Sequence, residues 1–246
     1  AKGKAIVNLL DLEAGERVAT TLAVRDFPED RYLVFATERG TIKKTALAEY
    51  GNPRAGGIIA INLEEGDRLL AVKVTDGTRD LFLATAEGMS IRFAEADCRP
   101  MGRATAGVRG VALREGDRVV GLEVLGTEGA ILTAATRGLG KRTAIAEYRQ
   151  QGRGGLGLIN LKVTERTGPV VGVAQVLPGD QVILITQDGM IIRTAVDGIR
   201  EIGRSTQGVK LIDLEGEDRL VAIAKVLERE EEEPVGEPVP GEEKPN

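Results

Sequence analysis

Short apolar runs, each ended by a glycine turn, recur four times along this chain. Leu33-Val34-Phe35-Ala36, Leu81-Phe82-Leu83-Ala84, Ala130-Ile131-Leu132-Thr133 and Val182-Ile183-Leu184-Ile185 lead into Gly40, Gly88, Gly138 and Gly189. Runs this short, rich in β-branched and large apolar residues, read as buried strands entering hairpins. The glycines lie 48, 50 and 51 residues apart. A second glycine, at Gly57, Gly107, Gly157 and Gly208, opens another stretch whose apolar positions hold register: Ile58, Ile61, Leu63; Val108, Val111, Leu113; Leu158, Leu161, Val163; Val209, Ile212, Leu214. An acidic turn follows, as in Glu65-Gly66-Asp67-Arg68, Glu115-Gly116-Asp117-Arg118 and Gly216-Glu217-Asp218-Arg219, and then a final strand such as Leu69 to Val74 or Val119 to Val124.

Four strands in a unit of about 50 residues predict an all-β, propeller-like array of blades, an architecture that leaves few exposed sheet edges. Contiguous repeats place four complete four-stranded blades at about 32–79, 80–128, 129–180 and 181–227. Residues 1–31 carry only the second half of a unit, with Val7, Leu10 and Leu12 leading to Gly15-Glu16-Arg17 and a strand over Val18 to Val24.

Composition agrees and adds constraints. Aromatic residues make up 3% and Trp is absent, so the core is built from Val, Ile, Leu and Ala. Cys98 has no partner in the chain, which excludes an internal disulfide framework and fits a reducing, cytoplasmic compartment. No run of about 18 apolar residues is present for a membrane helix. The first residues, Ala1-Lys2-Gly3-Lys4-Ala5, lack an initiator Met and a signal-peptide pattern, as expected of an internal piece of a longer protein. The net charge of −5 is unevenly distributed, because residues 228–246 hold eight Glu against Arg229 and Lys244. Residues 1–227 are therefore close to neutral, and 228–246 reads as a separate acidic tail without the apolar residues needed to order it.

Histidine is absent and there is no cysteine pair, so imidazole acid–base chemistry and a zinc site are not expected. Gly152-Arg153-Gly154-Gly155 is glycine-rich but lacks the Lys-Ser/Thr ending of a phosphate loop, and no cofactor is expected in this segment. Tyr50 and Tyr148 follow Ala-Glu at equivalent positions, which favours a structural role over a nucleophilic one. Positive charge, by contrast, repeats. Lys44, Arg92, Arg142 and Arg193 each stand four residues after a turn glycine, with Lys43 and Lys141 beside two of them. Arg103, Arg153 and Arg204 stand four residues ahead of the second glycine, and Arg54 is one residue out of step. One such cation per unit suits phosphate contacts along a duplex curving round a rim, without base readout. The plainer alternative is solubilising charge on strand ends and loops.

These residues carry a resemblance. Ile6-Val7-Asn8-Leu9-Leu10, Gly40-Thr41-Ile42-Lys43-Lys44-Thr45, Gly107-Val108-Arg109-Gly110, Gly129-Ala130-Ile131-Leu132-Thr133, Gly140-Lys141-Arg142-Thr143-Ala144 and Gly203-Arg204-Ser205-Thr206-Gln207-Gly208-Val209 resemble the C-terminal domain of the bacterial DNA gyrase A subunit, over about residues 1–227. The resemblance implies a β-pinwheel that wraps duplex DNA on a basic rim. It also implies partners in the gyrase B subunit, with the rest of the A subunit, in a heterotetramer. That complex introduces negative supercoils with ATP and Mg, in the bacterial cytoplasm at the nucleoid, while this segment supplies no catalytic residue. The family's basic box is present only as a degenerate copy, Gln151-Gly152-Arg153-Gly154-Gly155-Leu156-Gly157, in which Gly152 and Leu156 replace cations.

Two other readings fit the same pattern: the C-terminal domain of the topoisomerase IV A subunit, and a protein-interaction propeller. The acidic tail yields a first prediction. Glu230 to Glu233 are expected to compete with phosphate for the basic rim, so a chain ending at residue 227 should bind duplex DNA more tightly in a gel-shift titration at low salt.

Overall fold

The computed structural model describes residue 12 and residues 15–54 and 57–226. Fifteen strands lie among these residues: β1 (Tyr32–Thr37), β2 (Thr41–Ala46), β3 (Leu69–Thr75), β4 (Asp80–Thr85), β5 (Met89–Ala94), β6 (Val108–Arg109), β7 (Val119–Leu125), β8 (Ala130–Ala135), β9 (Leu139–Ala144), β10 (Leu158–Ile159), β11 (Val170–Val176), β12 (Gln181–Thr186), β13 (Ile191–Ala195), β14 (Val209–Lys210) and β15 (Leu220–Lys225). They form four antiparallel sheets, ordered β3-β1-β2-β6, β7-β4-β5-β10, β11-β8-β9-β14 and β15-β12-β13. The long strands β3, β7, β11 and β15 touch in succession on the inside of the array. The two-residue strands β6, β10 and β14 are outermost.

That strand order corrects the contiguous blades expected from the repeat. The stretch opened by the second glycine does not complete its own unit; it crosses to the preceding one. Thus β6 pairs with β2 through Thr41–Arg109 and Ile42–Val108, β10 with β5, and β14 with β9. The fourth sheet has three strands, since no fifth repeat lies among the described residues to cross onto β13. Residues 57–63, the counterpart in the first repeat, form no strand, and Ile59 is 62% exposed. The half unit also departs from expectation. Residues 1–11 lie outside the described residues, and 18–24 are exposed irregular chain. An inner strand here is held by the first strand of its own unit, as β3 is by β1, and 18–24 has no such partner among the described residues.

Both repeating glycines are explained by the crossing. The Gly40 carbonyl accepts the amides of Gly110 and Val111, Gly88 those of Asn160 and Leu161, and Gly138 those of Leu211 and Ile212. At the other end of the crossing strand, Gly157 has φ +77°, and a Cβ there would stand 2.1 Å from the Ser90 carbonyl oxygen. Gly57 has the same φ but open space around it, because no sheet precedes it among the described residues.

Apolar side chains pack between sheets. Leu81 and Leu83 of β4 join Val34, Ala36 and Ile42 of the first sheet, whereas Phe82 and Ala84 join Ile131, Tyr148 and Val173 of the third. A strand buried on both faces reads as a continuous apolar run instead of an alternating one, which is the pattern seen along the chain. The fourth sheet buries only one face: Val182 and Leu184 are covered, while Ile191 is 65% exposed.

Gly157→Ala is expected to cost the φ penalty of about 1 kcal/mol plus an overpacking term of roughly 1–3 kcal/mol, whereas Gly57→Ala should cost the φ penalty alone. Urea denaturation of the two variants checks this, and equal losses would argue against the crossing contact.

Candidate nucleic-acid interface

The cations four residues after the turn glycines occupy one register, with Lys44 opposite Val34, Arg92 opposite Phe82, Arg142 opposite Leu132 and Arg193 opposite Ile183. Three of them point into the molecule. Lys44 Nζ lies 2.7 Å from Glu95 Oε1, with both side chains buried, and sits over the Tyr32 ring. Arg92 pairs with Asp80 at 2.7 Å and donates to the carbonyls of Ile145 and Tyr148. Arg142 donates to the Ile199 carbonyl at 2.8 Å. Glu95, Ile145 and Ile199 belong to, or directly follow, the 3-10 turns 95–97, 145–147 and 196–198, so each cation latches the turn of the next repeat.

This corrects the expectation that these residues form the rim. A latch repeats once per unit just as a rim contact would, and sequence spacing does not separate the two. Breaking the buried Lys44–Glu95 pair from one side would leave a lone buried charge, at a cost of about 3–5 kcal/mol. Arg193 has no following repeat among the described residues; it is exposed and bonded to Gln181. Lys43 and Lys141, fully buried, are likewise removed from the surface. Lys43 Nζ donates to the Ala60 carbonyl at 2.6 Å and to that of Arg103, and Lys141 Nζ to the Gly203 carbonyl at 2.6 Å and to that of Arg204. Desolvation pushes both ammonium groups down to about 8.

The second set behaves differently. Arg103, Arg153 and Arg204 lie in the loops between each 3-10 turn and the outermost strand. Each reaches back one repeat to an equivalent backbone carbonyl: Arg103 Nη1 to Ile59 O at 3.3 Å, Arg153 Nη1 to Arg109 O at 3.0 Å, and Arg204 Nη1 to Ile159 O at 3.0 Å. These atoms meet carbonyls and not carboxylates; Arg153 is exposed, whereas Arg103 and Arg204 are half-buried at the outer edge of the array. Arg54 is exposed. In the degenerate box, Gly152, Arg153, Gly155 and Leu156 are exposed, Gln151, Gly154 and Gly157 half-buried, and the Gln151 amide donates to the Arg92 carbonyl.

Three further arginines were missed. Arg99, Arg149 and Arg200 follow the 3-10 turns, four residues ahead of Arg103, Arg153 and Arg204, and all three are exposed. Among the described residues their side chains make no hydrogen bond or ion pair. Their signal is a spacing of 50 and 51 residues, legible in the chain but absent from the first repeat, where Gly51 stands. The outer edge thus presents two arginines at each of three successive units.

A family model described as the DNA gyrase C-terminal domain, a beta-propeller, matches residues 31–76, 79–125, 130–176 and 180–226. The chain belongs to the DNA gyrase C-terminal domain family. It is 47% identical over 233 residues to the DNA gyrase A subunit of Escherichia coli, covering 95% of this chain and 27% of that protein. To its Halalkalibacterium halodurans counterpart it is 52% identical over 226 residues, covering 92% and 27%. The chain therefore spans about a quarter of the length of the curated relatives it matches. A solved DNA gyrase A C-terminal domain superposes with a TM-score of 0.84 at 25% identity, covering 92% of this chain and 76% of that one. The C-terminal domain of DNA topoisomerase IV gives 0.84 at 29%, covering 91% and 70%. Each segment matched by the family model is one sequence repeat, whereas each four-stranded sheet draws on two.

The tyrosines of this gyrase-family domain are structural, as their spacing suggested. Tyr148 is buried and donates to Asn160 Oδ1 at 2.6 Å, with burial raising its phenol pKa; Tyr50 donates to the Ala60 carbonyl. The acidic turns are also structural: Asp67, Asp117 and Asp218 accept the amides of Arg39, Glu87 and Asp188 in the hairpin turns.

The buried lysines set a pH dependence of stability. Their native values stand near 8 and their ordinary value is 10.5. Between those values the unfolded chain retains protons that the native one has released, so stability rises with pH in that window. In Lys43→Met with Lys141→Met, the increase in urea midpoint from pH 8 to 10 should be smaller than in the wild type.

Proposed function

We propose that this segment binds and bends duplex DNA on its outer edge as the C-terminal part of a DNA gyrase A subunit. There it supports ATP-dependent negative supercoiling by a complex with the rest of the A subunit, completed by the gyrase B subunit. The observation that carries this reading is the repeated pair of arginines on successive units: Arg99 with Arg103, Arg149 with Arg153, and Arg200 with Arg204. Cations at intervals set by the repeat suit the phosphates of a duplex laid across the units, and backbone contacts of this kind bind without reading sequence. Arg54 and Arg193 extend the set at its two ends. No step of strand cleavage or ATP hydrolysis is assigned to this segment; ATP and Mg belong to the assembled enzyme. The complex works in the bacterial cytoplasm, at the nucleoid.

Membership of the family and the 47% and 52% identity to two gyrase A subunits support gyrase, while the solved C-terminal domains of gyrase A and topoisomerase IV, at 25% and 29% identity, do not separate the two. A topology assay on the full-length protein, reconstituted with its ATP-hydrolysing partner, separates the two: negative supercoiling of relaxed plasmid supports gyrase, and decatenation alone supports topoisomerase IV.

The interface itself is tested by salt titration. Each phosphate contact contributes about 0.9 to the slope of log affinity against log salt, so replacing all six loop arginines by Gln should remove up to about 5 from it. Lys44→Met, a latch residue, should lower stability and leave that slope nearly unchanged. An unaltered slope in the six-arginine variant would overturn the interface.

A further inference from the structure

Lys43 and Lys141 occupy the same place in the first and third sheets. Lys43 lies opposite Phe35 on β2, and Lys141 opposite Thr133 on β9. The corresponding positions in the second and fourth sheets are Ile91 and Ile192, opposite Leu83 and Leu184. The fold therefore tolerates an apolar side chain here, and burying an ammonium instead is costly unless it is well bonded. In both cases its bonds go to backbone carbonyls. Two of those carbonyls are the ones of Arg103 and Arg204, the arginines on the outer edge.

We propose that Lys43 and Lys141 are positioning residues for DNA binding: each clamps from beneath the loop that displays Arg103 or Arg204, and so fixes that arginine before DNA arrives. This rests on the DNA-binding reading above. The Arg103 loop is held further by its own amide on Glu49 Oε2 and by the Asn62 amide on Thr105 O; the Lys162 amide donates to Thr206 O in the third unit's counterpart. In the second unit, where Ile91 replaces lysine, Arg153 is fixed by other means, with Nε on Asp97 O and Nη1 on Arg109 O. The ammonium is thus found only under the two loops whose arginine lacks that second backbone anchor. A loop ordered in advance does not lose its freedom on binding, and that saving is the source of the affinity gain.

A double-mutant cycle tests the clamp in the full chain, with dissociation constants for a short duplex read by fluorescence anisotropy at low salt. Lys43→Met alone should weaken binding roughly five- to tenfold. In an Arg103→Gln background it should weaken binding less than twofold further, since the arginine it serves is gone. The same holds for Lys141→Met with Arg204→Gln. Lys43→Met combined with Arg149→Gln, on a different loop, should be additive. Additive losses in the matched pairs would overturn the proposal. Hydrogen exchange gives a readout independent of DNA: the Asn62 amide should exchange faster in Lys43→Met and the Lys162 amide in Lys141→Met, and unchanged rates would also overturn it. If wild type fails to bind duplex at low salt, the DNA-binding reading falls while the exchange result still judges the clamp.

Should a methionine variant lose its β-sheet circular dichroism, the wild type at pH 7 and pH 9.3 serves instead. The charged or titratable neighbours of Lys43 are Glu49, Tyr50 and Arg103, and those of Lys141 are Glu147, Tyr148 and Arg204. Burial raises the pKa of both phenols, which holds them protonated over this range. Binding should weaken more in wild type than in Arg103→Gln with Arg204→Gln. Equal sensitivity would overturn the clamp.

Discussion

The architecture depends on one exchange: a short strand leaves its own repeat and hydrogen-bonds to the one before it. The carbonyl of a hairpin glycine takes two amides from the following repeat at Gly40, Gly88 and Gly138, and a crowded glycine opens the crossing strand at Gly107, Gly157 and Gly208. Backbone groups at a sheet edge must be satisfied, and here a neighbour satisfies them. No four-stranded sheet is complete without the next repeat. Where the described residues offer no neighbour, at 57–63 and at β13, the edge is open and Ile59, Leu63 and Ile191 are exposed.

The same exchange assigns the polar residues their tasks. Because each repeat lies against the next, a cation four residues after the turn glycine meets a 3-10 turn rather than solvent. Lys44, Arg92 and Arg142 are latches between units, and the loops that cross to the neighbour carry their arginines to the outer edge. Structure and binding surface thus come from one operation, and removing a latch acts on binding only through the fold.

Much of this was legible in the chain. Apolar runs with no alternation at Leu81 to Ala84 announced strands buried on both faces, and the glycine spacing gave the number of units. The motifs of the loops gave the family. The loop arginines Arg103, Arg153 and Arg204 could be singled out because glycines flank them and keep the chain from forming a regular element. The identical recurrence of Lys44 and its counterparts could not be interpreted, since periodicity records that a position matters in every unit without recording which way its side chain faces.

The sequence by itself determined the all-β class, the fourfold repeat, the turn positions and the structural character of Tyr50 and Tyr148, because these follow from local backbone preference and from patterns that recur along the chain. Only the tertiary structure decided which strand joins which sheet, that Lys43, Lys44, Arg92, Lys141 and Arg142 are occupied inside, and that Arg99, Arg149 and Arg200 are free outside. Those outcomes depend on contacts between residues about 50 positions apart, and burial of a charge is a property of the neighbour it meets rather than of the residue itself.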